Sequence, residues 1–327
     1  MAELKVCLIG CGDIFEKSHL EHWANTPDAY IYSVVDIDEG RARRGMELSG
    51  AEKRYADYRE AIEEDVDIVD VCLPHHLHTT PTVDACRAGK HVLCEKPMTM
   101  TVSDADAMCR AAEENGVKLS IRHTLRYAPI HQEMKRRVAG GEVGTPYFGS
   151  CDMSGYITNE RLAEYPYWYW LERRASGGGV LGALGVHGID VMLWMMAGRV
   201  QYAYGVAASE MLGENADVED TAIAIAKLED GGALRVTASW KRRREDREPT
   251  EIHGTEGSLI ARGDGLTLVR QDGSEELCPV PPVERTITDD FVRAVLEDTE
   301  PPAPGCEVIE SVKMLEGCYR TMLPDTD

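Results

Sequence analysis

No apolar run in this 327-residue sequence approaches the roughly 18 to 20 residues that a bilayer span requires; the best candidate, 186–197, is broken by His187 and Asp190. A membrane partner is not expected. Basic residues are also in short supply: 35 Lys and Arg against 57 Asp and Glu give a formal charge of −22, which repels nucleic acid and anionic head groups over the Debye length. Close cysteine pairs are missing. Ten cysteines lie scattered from Cys7 to Cys318 without one Cys-x-x-Cys, so reduced, mostly buried thiols and a cytoplasmic location are expected, not a disulfide framework or a structural zinc site. No basic segment, apolar stretch and small-residue cleavage site stands before the first strand, and export is not expected. Internal repeats and low-complexity segments are absent, which excludes solenoid architectures.

What is present suits two domains, each with its own core. Up to about residue 123, short apolar runs at 4–9, 29–35, 66–73, 91–94 and 118–121 alternate with helical stretches. That rhythm predicts an α/β domain over 1–123: a doubly wound parallel sheet of Rossmann type. Thr80-Pro81 opens one crossover helix that Gly89 closes, and Ser103 caps another. From 124 to 327 the pattern becomes one of longer alternating strands, at 147–154, 202–209, 221–228, 233–240, 251–253 with 258–261, and 266–269. Gly231-Gly232, Gly263-Asp264-Gly265 and Asp272-Gly273 supply hairpin turns. An α+β domain with a large, mostly antiparallel open sheet follows, interrupted by one long helix over 180–196. A last helix carries Val308, Val312, Leu315, Tyr319 and Met322 as one apolar stripe, which would pack against one of the domains.

The first strand runs into Gly10-Cys11-Gly12-Asp13-Ile14-Phe15 and then a helix. Such a turn presents backbone amides and a helix N-terminus to a pyrophosphate, with Gly10 permitting the turn and Gly12 removing a Cβ from the phosphate's path. Phe15 replaces the small residue of the third fingerprint position, which tells against close helix packing. The second strand ends in Asp36, roughly twenty residues beyond the glycines, where a carboxylate accepts hydrogen bonds from the adenosine ribose. Asp36 repels a 2′-phosphate, so NAD is favoured over NADP. Arg41, Arg43 and Arg44 nearby read as an exposed helix face.

Residues just past the C-termini of parallel strands line the ligand crevice. Leu73, Pro74, His75 and His78 follow one apolar strand, and Glu95, Lys96 and Pro97 follow the next. Together with Gly10-x-Gly12, Asp13, Ile14 and Asp36, these are the candidate cofactor contacts. A metal at His75-His76-x-His78 is not expected, because no acidic ligands cluster with it.

Several motifs now stand together: Gly10-x-Gly12, Pro74-x-x-x-His78, Gly89-Lys90-His91-Val92 leading to Glu95-Lys96-Pro97, and Arg126-Tyr127-x-Pro129. Further on come Gly177-Gly178-Gly179-x-Leu181 through Gly185-x-His187-x-x-Asp190, Glu219-Asp220-Thr221, and Gly254-Thr255-Glu256-Gly257-Ser258. Over nearly its whole length the sequence resembles the glucose-fructose oxidoreductase/inositol dehydrogenase/rhizopine catabolism (Gfo/Idh/MocA) family. The resemblance implies that Lys96 is the catalytic acid/base, that Glu95-Lys96-Pro97 borders the nicotinamide with a cis bond before Pro97, and that His187 faces the substrate. It implies sugars, cyclitols or their phosphates and nucleotide conjugates as substrates.

Oxidising a secondary alcohol needs a hydride acceptor and a base, and Lys96 serves as base if burial or nearby positive charge lowers its pKa from about 10.4. His187 can hydrogen-bond the same oxygen or relay its proton. Many relatives carry an Asp where this chain has Ala183, on the same helix face as His187, so either Lys96 and His187 suffice or the chemistry is altered. His123, Thr124 and Trp170, the last closing the aromatic run Tyr165 to Trp170, are further substrate candidates; for the aromatic run the alternative is a core or a subunit contact. Lys241-Arg242-Arg243-Arg244 reads as a solvated strand end in preference to a phosphate grip. Two rival functions stay open: a lyase or glycosidase that retains NAD and oxidises the sugar transiently, and a silent NAD-binding regulator. An uncovered sheet face implies a homodimer or homotetramer.

Overall fold

The apolar runs of the first hundred residues become parallel strands because both their faces are covered: Val6–Ile9 in β1 (Leu4–Ile9) and all of β4 (Ile68–Val71) are buried. The computed structural model describes residues 3–164, 167–209, 212, 216–243 and 248–322. With β2 (Ala29–Val35), β3 (Lys53–Tyr55), β5 (His91–Cys94) and β6 (Leu119–Ile121), these strands form a six-stranded sheet in the order β3-β2-β1-β4-β5-β6. Every pairing is parallel. The order reverses between β1 and β4, the switch point at which doubly wound sheets bind ligands. Strand β3 escapes the apolar pattern because it is a short edge strand of sequence Lys-Arg-Tyr. The helix Val102–Glu114 is capped by Thr101, not Ser103: the Thr101 hydroxyl accepts the Asp104 amide and donates to the Asp104 carboxylate, a pairing that depends on the residue three positions on.

The chain divides into Met1–His123 with Arg285–Ile309, and Thr124–Glu284 with Glu310–Asp327. Residues 285–309 thus fall in the first unit, outside the 1–123 range expected of it. Helix Ile287–Leu296, opened by a Thr286/Asp289 capping box, buries Phe291 and Val292 in the first unit's core. The Ala303 carbonyl then accepts the Ile121 amide at the edge strand β6.

In the second unit, β7 (Pro146–Asp152), β8 (Val200–Ala208), β9 (Thr221–Leu228), β10 (Ala233–Ser239), β11 (Thr250–Gly254), β12 (Gly257–Arg262), β13 (Gly265–Arg270) and β14 (Glu275–Cys278) form an eight-stranded sheet. Its order is β14-β13-β12-β11-β7-β10-β9-β8, antiparallel except for the parallel pair β7–β10. Helix Val186–Met196 packs on this sheet so closely that a Cβ at Gly188 would stand 2.8 Å from Met153 Cγ, and one at Gly149 2.4 Å from Met192 Cε. The expected single helix over 180–196 begins instead with a π-helical turn, Leu181–Gly185. By length and composition the stretch Arg173–Met196 is apolar enough to cross a membrane, but it is mostly buried inside the protein. Counting uninterrupted apolar residues understates such a helix, because His187 and Asp190 are tolerated in a core when satisfied.

Candidate active site

Gly10 has a φ of 104° and packs against the end of β4, where an added Cβ would stand 2.2 Å from the Cys72 carbonyl oxygen. Its amide donates to the Val35 carbonyl, drawing the turn onto β2. Asp36, at the end of β2, is buried; its carboxylate accepts the Cys11 amide at 3.0 Å and the Asp38 amide at 2.9 Å. One carboxylate therefore ties the glycine turn to the second strand. Arg41 donates to it through Nε and Nη2 at 2.9–3.1 Å. Arg43 pairs with Glu39 and Arg44 with Glu16, so each of the three arginines has an acidic partner.

The helix after the turn opens at Asp13, directly behind Gly12, which has no side chain to cap it; Asp38, Asp57 and Thr101 cap three later helices, while Thr79–Arg87 and Pro129–Ala139 also lack a side-chain cap. Uncapped amides at a helix N-terminus suit a phosphate, and with the Asp36 carboxylate nearby the donor set fits a dinucleotide. Two local features surround Phe15. The helix widens into a π-turn over Phe15–His19, and the facing helix Glu39–Ser49 places Gly45 opposite, where a Cβ would crowd Cys11 Sγ at 2.6 Å and touch Phe15 Cε1 at 3.6 Å. Phe15 itself is fully buried. Asp13 pairs with Lys17 one turn on.

Past β4, Leu73 and Pro74 are half-buried and His75 is buried, its ring 6.0 Å from that of His78. His78 is fully buried, with its ring nitrogens 2.7 Å from the Leu73 carbonyl oxygen and 2.8 Å from that of Pro97. It buckles the segment after β4 to the segment after β5. Lys96–Pro97 is a cis peptide. Glu95 points inward: its carboxylate is held by His19 and Arg122, each at 3.0 Å, and accepts the Lys96 amide. Lys96 is half-buried, and burial pushes its pKa below the usual lysine value against the opposing pull of Glu95. His123, at the end of this unit, is buried.

In the second unit, Thr124 begins a 3-10 turn, Thr124–Tyr127. Arg126 forms a buried two-point pair with Asp190, Nε to Oδ2 at 2.8 Å and Nη2 to Oδ1 at 2.7 Å. Glu219 accepts the amides of Gly179 and Leu181 at 2.8 and 2.9 Å and the Tyr319 hydroxyl at 3.0 Å. A carboxylate distant in sequence thus caps the helical stretch that carries His187, and burial raises the Glu219 pKa despite these donors. His187 lies half-buried in the first turn of Val186–Met196, whereas Ala183 is buried in the core. The π-turn Leu181–Gly185 runs up to the residue before that helix. Trp170 stacks on the fully buried Trp240, centroids 6.1 Å apart at 13°.

Tyr165 and Pro166 of the aromatic run lie outside the described residues, as does Arg244. Of the basic run, Lys241 donates to the Ile157 carbonyl and to Asn159, Arg242 pairs with Asp152, and Arg243 lies over the Tyr156 ring. Among the described residues no group of three or more His, Cys, Asp or Glu is placed to hold a metal.

The residues missed at the sequence level are His19, Asp70 and Arg122. A carboxylate inside the apolar run 66–73 was the available signal, since a charge there requires a partner.

A doubly wound sheet with a glycine turn after β1 and a carboxylate after β2 defines a dinucleotide-binding domain. Residues 4–123 match the family described as "Oxidoreductase family, NAD-binding Rossmann fold", and residues 131–260 match the "GFO/IDH/MocA C-terminal domain". The 1,5-anhydro-D-fructose reductase of Ensifer adhaerens is 31% identical over 284 residues, 83% of either chain. The myo-inositol 2-dehydrogenase of Thermotoga maritima is 29% identical over 79% of this chain and 75% of its own. Among solved structures, an Agrobacterium radiobacter oxidoreductase in complex with NAD+, L-tartaric acid and magnesium superposes with a TM-score of 0.86 at 20% identity, covering 99% of this chain and 97% of that one. The chain belongs to the Gfo/Idh/MocA family of oxidoreductases.

Proposed function

We propose that the protein transfers hydride between NAD and a hydroxyl-bearing ring carbon of a sugar, cyclitol or related derivative, with Lys96 as the acid/base. The observation that carries this reading is the position of Lys96 at the C-terminal end of β5, on the same edge of the parallel sheet as the glycine turn after β1. NAD would be held by the glycine turn, the start of the helix after it and Asp36, and would supply the hydride acceptor. Lys96 Nζ takes the hydroxyl proton as the alcohol becomes a ketone and returns it in reduction. Burial lowers the Lys96 pKa, which raises the share of neutral amine available for that exchange. The relatives named above act on an anhydro-ketose and on a cyclitol, which supports a cyclic polyol as substrate class. NADH formation across a panel of cyclitols, aldoses and anhydrosugars tests the reading; NAD binding with no turnover, or loss of a leaving group without net NADH, would favour the regulator or the lyase instead.

His187 and, beside it in the reading, Thr124, Trp170 and His123 are proposed as substrate contacts. Leu73, Pro74, His75 and the backbone of Glu95 to Pro97 are proposed to line the nicotinamide end. Asp36 is proposed to set cofactor choice. Asp36→Asn removes the charge that repels a 2′-phosphate and releases the Arg41 guanidinium. NAD affinity should fall and NADP affinity rise, moving the ratio of the two dissociation constants by roughly 10- to 100-fold, the worth of a hydrogen bond to a charged group. Calorimetric titration of both cofactors measures it, and an unchanged ratio would remove Asp36 from this role.

We also propose a homo-oligomer formed through the outer face of β8 and β9. Tyr202, Tyr204 and Val206 are 52%, 52% and 72% exposed, and Ile223 and Ile225 pair across from Val206 and Tyr204. A contiguous apolar face of this kind marks an interface. Tyr204→Lys with Ile225→Lys should shift the mass in light scattering toward that of the single 36.2 kDa chain; an unchanged mass would place the interface elsewhere.

A further inference from the structure

Lys96 stands beside a buried array of ionisable side chains drawn from four elements. His19, in the π-turn after the glycine loop, places Nδ1 2.7 Å from Asp70 Oδ2 and Nε2 3.0 Å from Glu95 Oε1. Asp70 lies on β4 and takes a second hydrogen bond from Trp23 Nε1 at 2.6 Å. Arg122, just past β6, donates through Nη1 to the same Glu95 oxygen at 3.0 Å, and through Nη2 to Ser18 and to His22 Nδ1. The other Glu95 oxygen accepts the Lys96 amide at 3.0 Å. His19 and Asp70 are fully buried, Arg122 and Glu95 nearly so.

Carboxylate oxygens only accept hydrogen bonds, so an imidazole with one at each ring nitrogen must donate twice; His19 is a cation. Burial disfavours that charge, but Asp70 outweighs it and holds the His19 pKa well above its ordinary value. Burial likewise raises Glu95, yet the His19 hydrogen bond and the Arg122 charge hold its carboxyl well below the usual range. Two carboxylates and two cations cancel. The remaining ionisable neighbours are Cys7, Cys72 and Cys94, which burial keeps as thiols, and His22 and His78, whose pKa values burial lowers, so that none adds charge.

We infer that His19 and Arg122 are positioning residues for Lys96: by clamping and neutralising the carboxylate that holds the Lys96 amide, they set the electrostatic surroundings of its ammonium group. With the His19 cation removed, the array carries a net negative charge, which favours the charged form of the neighbouring lysine. The proposal rests on Lys96 being the acid/base for its relevance to turnover, but its electrostatic content is measurable without substrate.

The test is competitive acetylation of the intact protein with acetic anhydride over a pH series, followed by mass spectrometry of the peptide containing Lys96. Only the neutral amine reacts, so the midpoint of the labelling curve is the lysine's own. In His19→Gln the midpoint should move up by about one pH unit or more, the effect of one unit charge at an effective dielectric constant of about 20. Arg122→Gln removes the other cation and should move it the same way. Asp70→Asn combined with His19→Gln restores neutrality and should bring the midpoint back toward that of the unaltered protein, which loss of packing alone would not do. A folded His19→Gln protein with an unmoved midpoint, or a double variant displaced as far as the single one, overturns the inference. Independently of folding effects, 15N NMR of the unaltered protein should show both His19 ring nitrogens protonated at pH 7; one protonated nitrogen would overturn it too. Retained turnover in Lys96→Ala would instead remove the lysine from catalysis and leave the array's electrostatics as measured.

Discussion

Lys96→Ala is expected to lower hydride transfer by about 10²- to 10⁴-fold, the usual contribution of a positioned acid/base, while the dissociation constant for NAD changes by less than about tenfold. The separation follows from geometry. The groups proposed to grip the adenosine and pyrophosphate lie after β1 and β2, whereas Lys96 follows β5, two strands from β1 in the sheet. Single-turnover NADH formation with the best substrate of the panel, alongside calorimetric NAD titration, checks both halves. The pH dependence has a definite sign. Burial lowers the Lys96 pKa, so in the oxidative direction, where the neutral amine is required, kcat/KM should rise with pH through that pKa and then level off. In the reductive direction the ammonium is required, and the rate should fall through the same point. An undiminished rate, or an oxidative limb that survives the substitution, would assign the proton to another group.

The limits of legibility in the sequence are physical and local. Strands β1, β2, β5 and β9 could be read to their end residues because each is a run whose burial the sequence reports directly. Strand β3 could not, since an edge strand needs only a few backbone pairs and no apolar side chains. Strand β14 was hidden for a like reason: its residues Glu275, Glu276 and Leu277 are exposed and only Cys278 is buried. The return of residues 285–309 to the first unit rests on Phe291, Val292 and the Ala303 carbonyl finding partners far away in sequence, which no local pattern encodes. At the site, the glycine turn and Asp36 were legible because spacing alone defines them. The His19–Asp70–Glu95–Arg122 array was not, because its members come from four elements and meet only once the sheet is assembled. The π-turn before His187 belongs to the same class. A sequence with 3.6-residue periodicity does not announce where one turn will widen.

Gly10→Ala should be among the most damaging single-methyl changes in the chain, and Gly50→Ala is its internal control. Both glycines have positive φ, 104° and 71°, so both substitutions carry backbone strain. At Gly50 that is all they carry: a Cβ there meets nothing within 4 Å, and the cost should be about 1 to 2 kcal/mol. At Gly10 the new methyl would stand 2.2 Å from the Cys72 carbonyl oxygen and 2.9 Å from its carbonyl carbon, which are backbone atoms that no rotamer change can move aside. Relief requires shifting the end of β4 or the turn itself. Either movement strains the Gly10 amide bond to Val35 and the Cys72 amide bond to Ile9, and displaces the Cys11 amide that Asp36 holds. Stability should therefore drop by about 3 kcal/mol or more, the range reached by overpacking and strain together. NAD affinity should fall at least tenfold in whatever folded protein remains, because the turn proposed to receive the pyrophosphate is the part that must move. Urea unfolding of both variants with and without saturating NAD measures the two effects together: Gly50→Ala should keep the full stabilisation by NAD, and Gly10→Ala should lose most of it. Equal losses in the two variants would mean that strain in φ, not the approach of β4, is what reserves position 10 for glycine.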